Sequence, residues 1–132
     1  MAFLLDTNVW IDLERGDEPN VIERAQQCQS SGLYLSTIVL GEIEAGIQRS
    51  SRAQYARETY NILLRSRPVV GVDSGCATIY GRLRAHLLDR GQIIGANDLW
   101  IAAQSICHDL TLVTANVKEF SRVPDLEIED WR

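Results

Sequence analysis

Four oxygen-bearing side chains, Asp6, Glu42, Asp98 and Asn116, punctuate this chain of 132 residues. Asp6 follows the apolar run Ala2-Phe3-Leu4-Leu5 so closely that its carboxylate must sit where a buried strand ends. Ligand sites in open parallel α/β sheets form at that edge. Glu42, Asp98 and Asn116 recur at comparable points beside apolar segments, each one or more helix-strand units from the last. Converging, the four would line an anionic pocket for a hard cation. Two like charges about 4 Å apart repel by roughly 4 kcal/mol at an effective dielectric near 20, so carboxylates that share a pocket require a cation. Mg2+ or Mn2+ suits such a set, since both take oxygen ligands, keep several waters and bind phosphate oxygens.

Each residue alone has an ordinary explanation. Asp6 and Asp98 stand where helices begin, so both serve as caps or favourable charges at a helix N-terminus. Asn116 follows Thr114 and Ala115 at a strand end, the usual place for a turn residue. Val39, Leu40, Ile43 and Ile47 make an apolar arc at helical spacing, with Glu42 and Glu44 on its two edges. Periodicity does not choose between those two glutamates.

The elements that must position these groups alternate in type. Strands are expected at 3–5, 33–36, 69–72 and 110–114, with a last short one around 126–128. Between them, a short helical turn at 9–13 follows Asp6, and Pro19 opens a helix reaching about Cys28. Residues 37–48 and 52–65 read as two helices joined at Ser50-Ser51, the second stopped by Pro68. Asp73 or Ser74 caps a helix ending near Gly91, and Asn97-Asp98 opens another reaching Cys107. Such alternation implies an α/β fold, with a parallel sheet covered on both faces.

At 14.8 kDa the chain fits one domain, 1–132, without repeats, linkers or low-complexity tracts. No apolar run approaches the ~20 residues of a membrane span, and Met1 leads straight into a strand, so a soluble cytoplasmic protein is expected. The three cysteines, Cys28, Cys76 and Cys107, have neither disulfide-framework nor zinc-type spacing and read as core packing. His86 and His108 lack partners at ligand spacing and read as surface or packing residues.

Net charge is −5, but residues 49–90 hold eight arginines against Glu58, Asp73 and Asp89, a local +5, while the remainder carries −10. A solvated helix face would account for this. Arginine's planar fork also suits phosphate oxygens, which makes Arg49, Arg52 and Arg57 candidates for holding a nucleic-acid backbone.

In order and neighbours, these residues resemble the PIN-domain nucleases, and within them the VapC-type toxins of toxin-antitoxin modules. The likeness spans nearly the whole chain. Leu4-Leu5-Asp6-Thr7-Asn8 is similar to the first acidic motif and Leu40-Gly41-Glu42-Ile43 to the second, which selects Glu42 over Glu44. Asn97-Asp98-Leu99-Trp100-Ile101-Ala102-Ala103 is similar to the third. The tail resembles one VapC branch through Leu112-Val113-Thr114-Ala115-Asn116, Glu119-Phe120, Arg122, Pro124, Leu126 and Glu129-Asp130-Trp131. Many PIN domains carry Asp where this chain has Asn116.

The resemblance implies a three-layer α/β/α sandwich around a mostly parallel sheet of four to five strands. It also implies a metal-dependent endoribonuclease, RNA as substrate, a homodimer, and inhibition by a VapB-type antitoxin whose tail enters the cleft. Asp6 would be the principal metal ligand, with Glu42 and Asp98 coordinating directly or through water and Asn116 at the rim. Thr7 and Thr114, beside the first and fourth motif positions, would orient ligands or water, unless they only cap strand ends. Asn116 keeps open an alternative, a nucleic-acid-binding or regulatory PIN domain with little activity. A phosphatase-like hydrolase using Asp6 as nucleophile is a third reading, weakened because Asn8 stands where a second Asp is expected.

Overall fold

A computed structural model describes residues 1–132. Five short strands, β1 (Phe3–Leu5), β2 (Leu33–Ser36), β3 (Val69–Val70), β4 (Thr111–Val113) and β5 (Ile128–Glu129), form one sheet in the order β3-β2-β1-β4-β5. Every pairing is parallel. Strand β1 lies at the centre, and Leu4, Leu5, Leu112 and Val113 are wholly buried, as expected when both faces of a sheet are covered.

Seven helices flank the sheet in an α/β/α arrangement: α1 (Thr7–Arg15), α2 (Pro19–Gln27), α3 (Thr37–Gln48), α4 (Ala53–Leu63), α5 (Ser74–Asp89), α6 (Ala96–Cys107) and α7 (Val117–Phe120). Helix α1 packs on α2, α3 and α4; α3 also packs on α6, and α6 on α5. No helix is long and apolar enough to cross a membrane.

Register places the functional residues. Leu5 pairs with Val113, and the Asp6 amide donates to the Val113 carbonyl at 2.9 Å, so β1 and β4 end side by side and deliver Asp6 and Thr114 to the same edge. At the end of β2, the Ser36 hydroxyl accepts from the Ile38 amide at 3.0 Å and caps α3. The fully buried Gln104 of α6 accepts from that same hydroxyl and donates to the Val70 carbonyl at 3.2 Å, which fixes α6 against β2 and β3. Neighbouring the tail, Arg132 donates to both oxygens of buried Asp12 at 2.9 Å each.

The main departures from the sequence reading sit at element ends. Helix α1 starts at Thr7 rather than Val9, because Asp6 itself is the cap, and it stops at Gly16 with φ 70°, a left-handed conformation that glycine adopts without penalty. Strand β3 ends at Val70 and the last strand is Ile128–Glu129, one to two residues later than expected. Helix α7 has only four residues, too few to produce a periodic signal, and sequence periodicity does not reveal it.

Candidate active site

Asp6 is 5% exposed and surrounded by donors. Its Oδ1 accepts from the Thr7 amide at 2.8 Å, and its Oδ2 accepts from the Thr114 hydroxyl at 2.8 Å and the Asn8 amide nitrogen at 3.4 Å. Burial nonetheless raises its pKa above the usual carboxylate value. The bonds from Thr114, Thr7 and Asn8 oppose that rise, and nearby Glu119 adds to it. Asn8 in turn accepts from the Ala115 amide at 3.4 Å, tying the β1 and β4 ends together a second time.

Glu42 lies in α3, and its Oε1 accepts from the Thr7 hydroxyl at 2.9 Å, a bond from the start of α1. Glu44 faces elsewhere. It forms a two-pronged ion pair with Arg57, at 3.0 and 2.6 Å, and accepts from Gln48 at 2.9 Å. Those bonds, Arg57's foremost, hold the Glu44 carboxyl down at about 2.

Asp98 occupies the first turn of α6, where the helix dipole favours negative charge. Other forces prevail there. Burial, followed by the charges of Asp6, Glu119 and Glu42, pushes its carboxyl up to about 6. Those charges, with the Thr7–Glu42 bond, mark four carboxylates, from the residue that follows β1 and from α3, α6 and α7, as neighbours at one acidic edge of the sheet.

Glu119 is the acid of this group that the sequence reading did not single out as a site residue. Its Oε2 accepts from the Asn116 amide nitrogen at 2.8 Å and its Oε1 from the Gly95 amide at 3.1 Å, so it bridges α7 to the start of α6. Its one sequence signal was its place in the Glu119-Phe120 block, three residues after Asn116. Asn116 stands at the N-cap position of α7 without a side-chain capping bond, and its own amide donates to the Thr114 hydroxyl at 3.0 Å. Its nitrogen therefore orients Glu119, while its amide oxygen accepts no hydrogen bond within the chain.

The PIN domain family model matches residues 3–126. The chain belongs to the PIN-domain family. It is 33% identical to a ribonuclease VapC2 of Rickettsia felis over 132 residues, covering 99% of this chain and 98% of that protein. It is 30% identical, over the same shares of both chains, to a tRNA(fMet)-specific endonuclease VapC of Salmonella typhimurium. Among solved structures, VapBC2 from Rickettsia felis bound to a DNA fragment from its promoter contains a chain that superposes with a TM-score of 0.94, at 32% identity and full coverage of both chains.

This PIN domain uses several of its arginines internally. Arg57 is committed to Glu44, and Arg67 donates to the Gln29 side chain at 2.7 Å and lies 5.7 Å from the Trp10 ring centre. Arg49 is exposed at the end of α3, and the exposed Arg52 lies over the Tyr55 ring at 4.6 Å. Of the three candidates for backbone contact, Arg49 and Arg52 keep guanidinium groups without an acidic partner.

Cys28 and Cys76 are buried, as the core-packing reading expects, and His108 is exposed, whereas Cys107 is only partly buried. Cys76, Cys107, His108 and Asp73 gather with their ligand atoms within 4.8 Å of one another. Sequence spacing concealed this because two of the residues open α5 and two close α6. This tight group is separate from the acidic pocket and has different donor chemistry.

Proposed function

We propose that this PIN domain is a divalent-metal-dependent endoribonuclease, the toxin of a type II toxin-antitoxin module. The observation that carries the reading is the gathering of Asp6, Glu42 and Glu119 about Asp98, whose carboxyl is pushed up to about 6 by burial and then by the charges of those three acids. Such crowding of acids is unfavourable in an apo pocket and is relieved by a cation. The donors are all oxygen, as Mg2+ or Mn2+ prefers. When bound, the ion supplies an activated water and offsets charge on the phosphate as the P–O bond breaks.

The chain's own residues do the rest. Asp6 is the principal ligand, with Asp98 and Glu42 completing the acidic set directly or through water. Thr114 and Thr7 fix the carboxylates of Asp6 and Glu42 through their hydroxyls, at 2.8 and 2.9 Å. Asn116 contributes by orienting Glu119 and by presenting its amide oxygen at the rim. In the hydrolysis, water adds to phosphorus, the ester bond to one ribose oxygen breaks, and that oxygen leaves with a proton. Arg49 and Arg52 hold the backbone of the RNA, positioning it without reading its bases.

Glu119 favours the enzyme over the regulatory alternative. With it the pocket holds four carboxylates although position 116 carries an amide, so the substitution of Asn for the commoner Asp does not empty the site of charge. Support for the toxin assignment comes from full-length relatives named ribonuclease and endonuclease VapC, and from VapBC assemblies that share the fold. By the same reasoning a VapB-type antitoxin is the partner; the motif resemblance adds a homodimer, working in the cytoplasm.

The test is cleavage of RNA by purified protein freed of inhibitor. Mg2+ or Mn2+ should support cutting and chelation should abolish it, with sequencing of the new 5′ ends giving the site. Cutting that continues unchanged in excess chelator would overturn the metal-dependent reading.

A further inference from the structure

We propose that Asp73, Cys76, Cys107 and His108 form a second metal centre, a four-ligand site for zinc or a similarly thiophilic divalent ion that clamps the start of α5 to the end of α6. Cys76 Sγ lies 3.8 Å from His108 Nε2, Cys107 Sγ lies 4.0 Å from Asp73 Oδ1, and His108 Nε2 lies 4.0 Å from Asp73 Oδ2. A tetrahedral zinc site, with Zn–S about 2.3 Å and Zn–N about 2.0 Å, has ligand-ligand edges of roughly 3.3–3.8 Å. The four ligands thus already stand close to a coordination shell, and small side-chain rotations close it.

Donor chemistry separates this site from the acidic pocket. Two sulfurs, an imidazole nitrogen and one carboxylate oxygen favour a soft or borderline ion over Mg2+ or Mn2+. Asp98 and Cys107 lie nine residues apart on α6. At 1.5 Å per residue that spacing is about 14 Å, too far for a shared ion.

Two further observations point to a ligand. Cys76 is 0% exposed, and its sulfur faces His108 Nε2 and the Gly71 carbonyl at 3.8 Å each, with the ligand atoms of Asp73 and Cys107 within 4.8 Å. Gly75 stands where a Cβ would come within 3.2 Å of Cys107 Sγ and 3.4 Å of Asp73 Oδ1, so glycine leaves the space between the ligands clear. The partly exposed His108 and Asp73 side chains give an ion a way in. On binding, each thiol loses its proton to solvent as a sulfur-metal bond forms. A carboxylate, two thiolates and a neutral imidazole carry −3 together, which a dication reduces to −1.

Co2+ tests this directly, because thiolate ligands give it a sulfur-to-metal charge-transfer absorption that oxygen ligands do not. The reduced protein should bind one such Co2+ per chain, and Zn2+ should displace it. Cys107→Ser and the exposed His108→Ala should each weaken binding at least tenfold, while Cys28→Ser and Asp98→Asn should leave the absorption intact. Zn2+ should also raise the Tm of the wild type but not of Cys107→Ser. No charge-transfer band at saturating Co2+ in folded, reduced wild type would overturn the proposal, as would a band that survives in both Cys107→Ser and His108→Ala. Recovery of Cys76 and Cys107 as a disulfide that, once reduced, takes no Co2+ would also overturn it, and would make the pair a redox couple.

Discussion

The Asn116 amide nitrogen donates to Glu119 Oε2 at 2.8 Å, so a neutral side chain at the end of β4 holds an acid at the pocket wall. Asn116→Asp would replace that bond with a carboxylate facing a carboxylate. In metal-free protein it should cost about 1–3 kcal/mol, seen as a lower Tm. Mg2+ should restore more stability to this variant than to the wild type, since a dication relieves the added repulsion. Asn116→Ala, which only loses the bond, should cost about 1 kcal/mol. Equal Tm values for all three proteins with and without Mg2+ would show that position 116 merely turns the chain.

Loss of charge at the pocket should separate catalysis from folding. Asp6→Asn and Asp98→Asn should keep a native circular dichroism spectrum and lose at least about 100-fold in RNA cleavage, the scale of a missing charge-stabilising group. Glu119→Gln should reduce the rate less, because its amide oxygen still accepts from Gly95 or Asn116. Full activity in both aspartate variants would remove these acids from the mechanism.

Asp98 sets a pH dependence of stability. Its carboxyl is raised from 3.8 to about 6, so between those values the native state binds more protons than the unfolded chain. Metal-free protein should therefore lose stability as pH rises from about 4 to about 6 through this group, with the penalty constant above that. Because Asp98 is only partly buried, solvent screening brings the effect to about 1 kcal/mol. Denaturant titration across that range should show the fall in wild type and a flatter curve in Asp98→Asn. Curves that coincide would mean that Asp98 titrates as an ordinary exposed carboxylate.

The arginines should differ from one another. Arg49→Ala and Arg52→Ala should each lower the slope of log affinity for RNA against log salt by about 1, as when one phosphate contact is lost. Arg57→Ala should change that slope less, since Glu44 already holds its guanidinium. Binding insensitive to salt would return all three to ordinary surface.

Much of this was legible in the sequence. The Leu4-Leu5 run before Asp6, the alternation of strand and helix, and the positions of Pro19 and Pro68 reflect local forces: burial, backbone restriction and capping act within a few residues and leave a mark at known spacing. That is why β1, β2 and α3 fall where the sequence reading puts them. The PIN likeness was carried by short blocks of neighbouring residues for the same reason.

Tertiary structure alone decided what meets across the chain. Pairing of Leu5 with Val113 puts Asp6 beside Thr114, and packing directs Glu42 toward Thr7 but Glu44 toward Arg57, although both flank the same apolar arc. Glu119 enters the pocket from a helix too short to show periodicity. Cys76 and Cys107, 31 positions apart, meet because α5 and α6 lie against each other, bringing the start of one to the end of the other. Sequence determines which side chains can do chemistry, because identity and local spacing are written in it. Distance in space between remote positions is set by burial of the whole core, and only the folded chain reveals it.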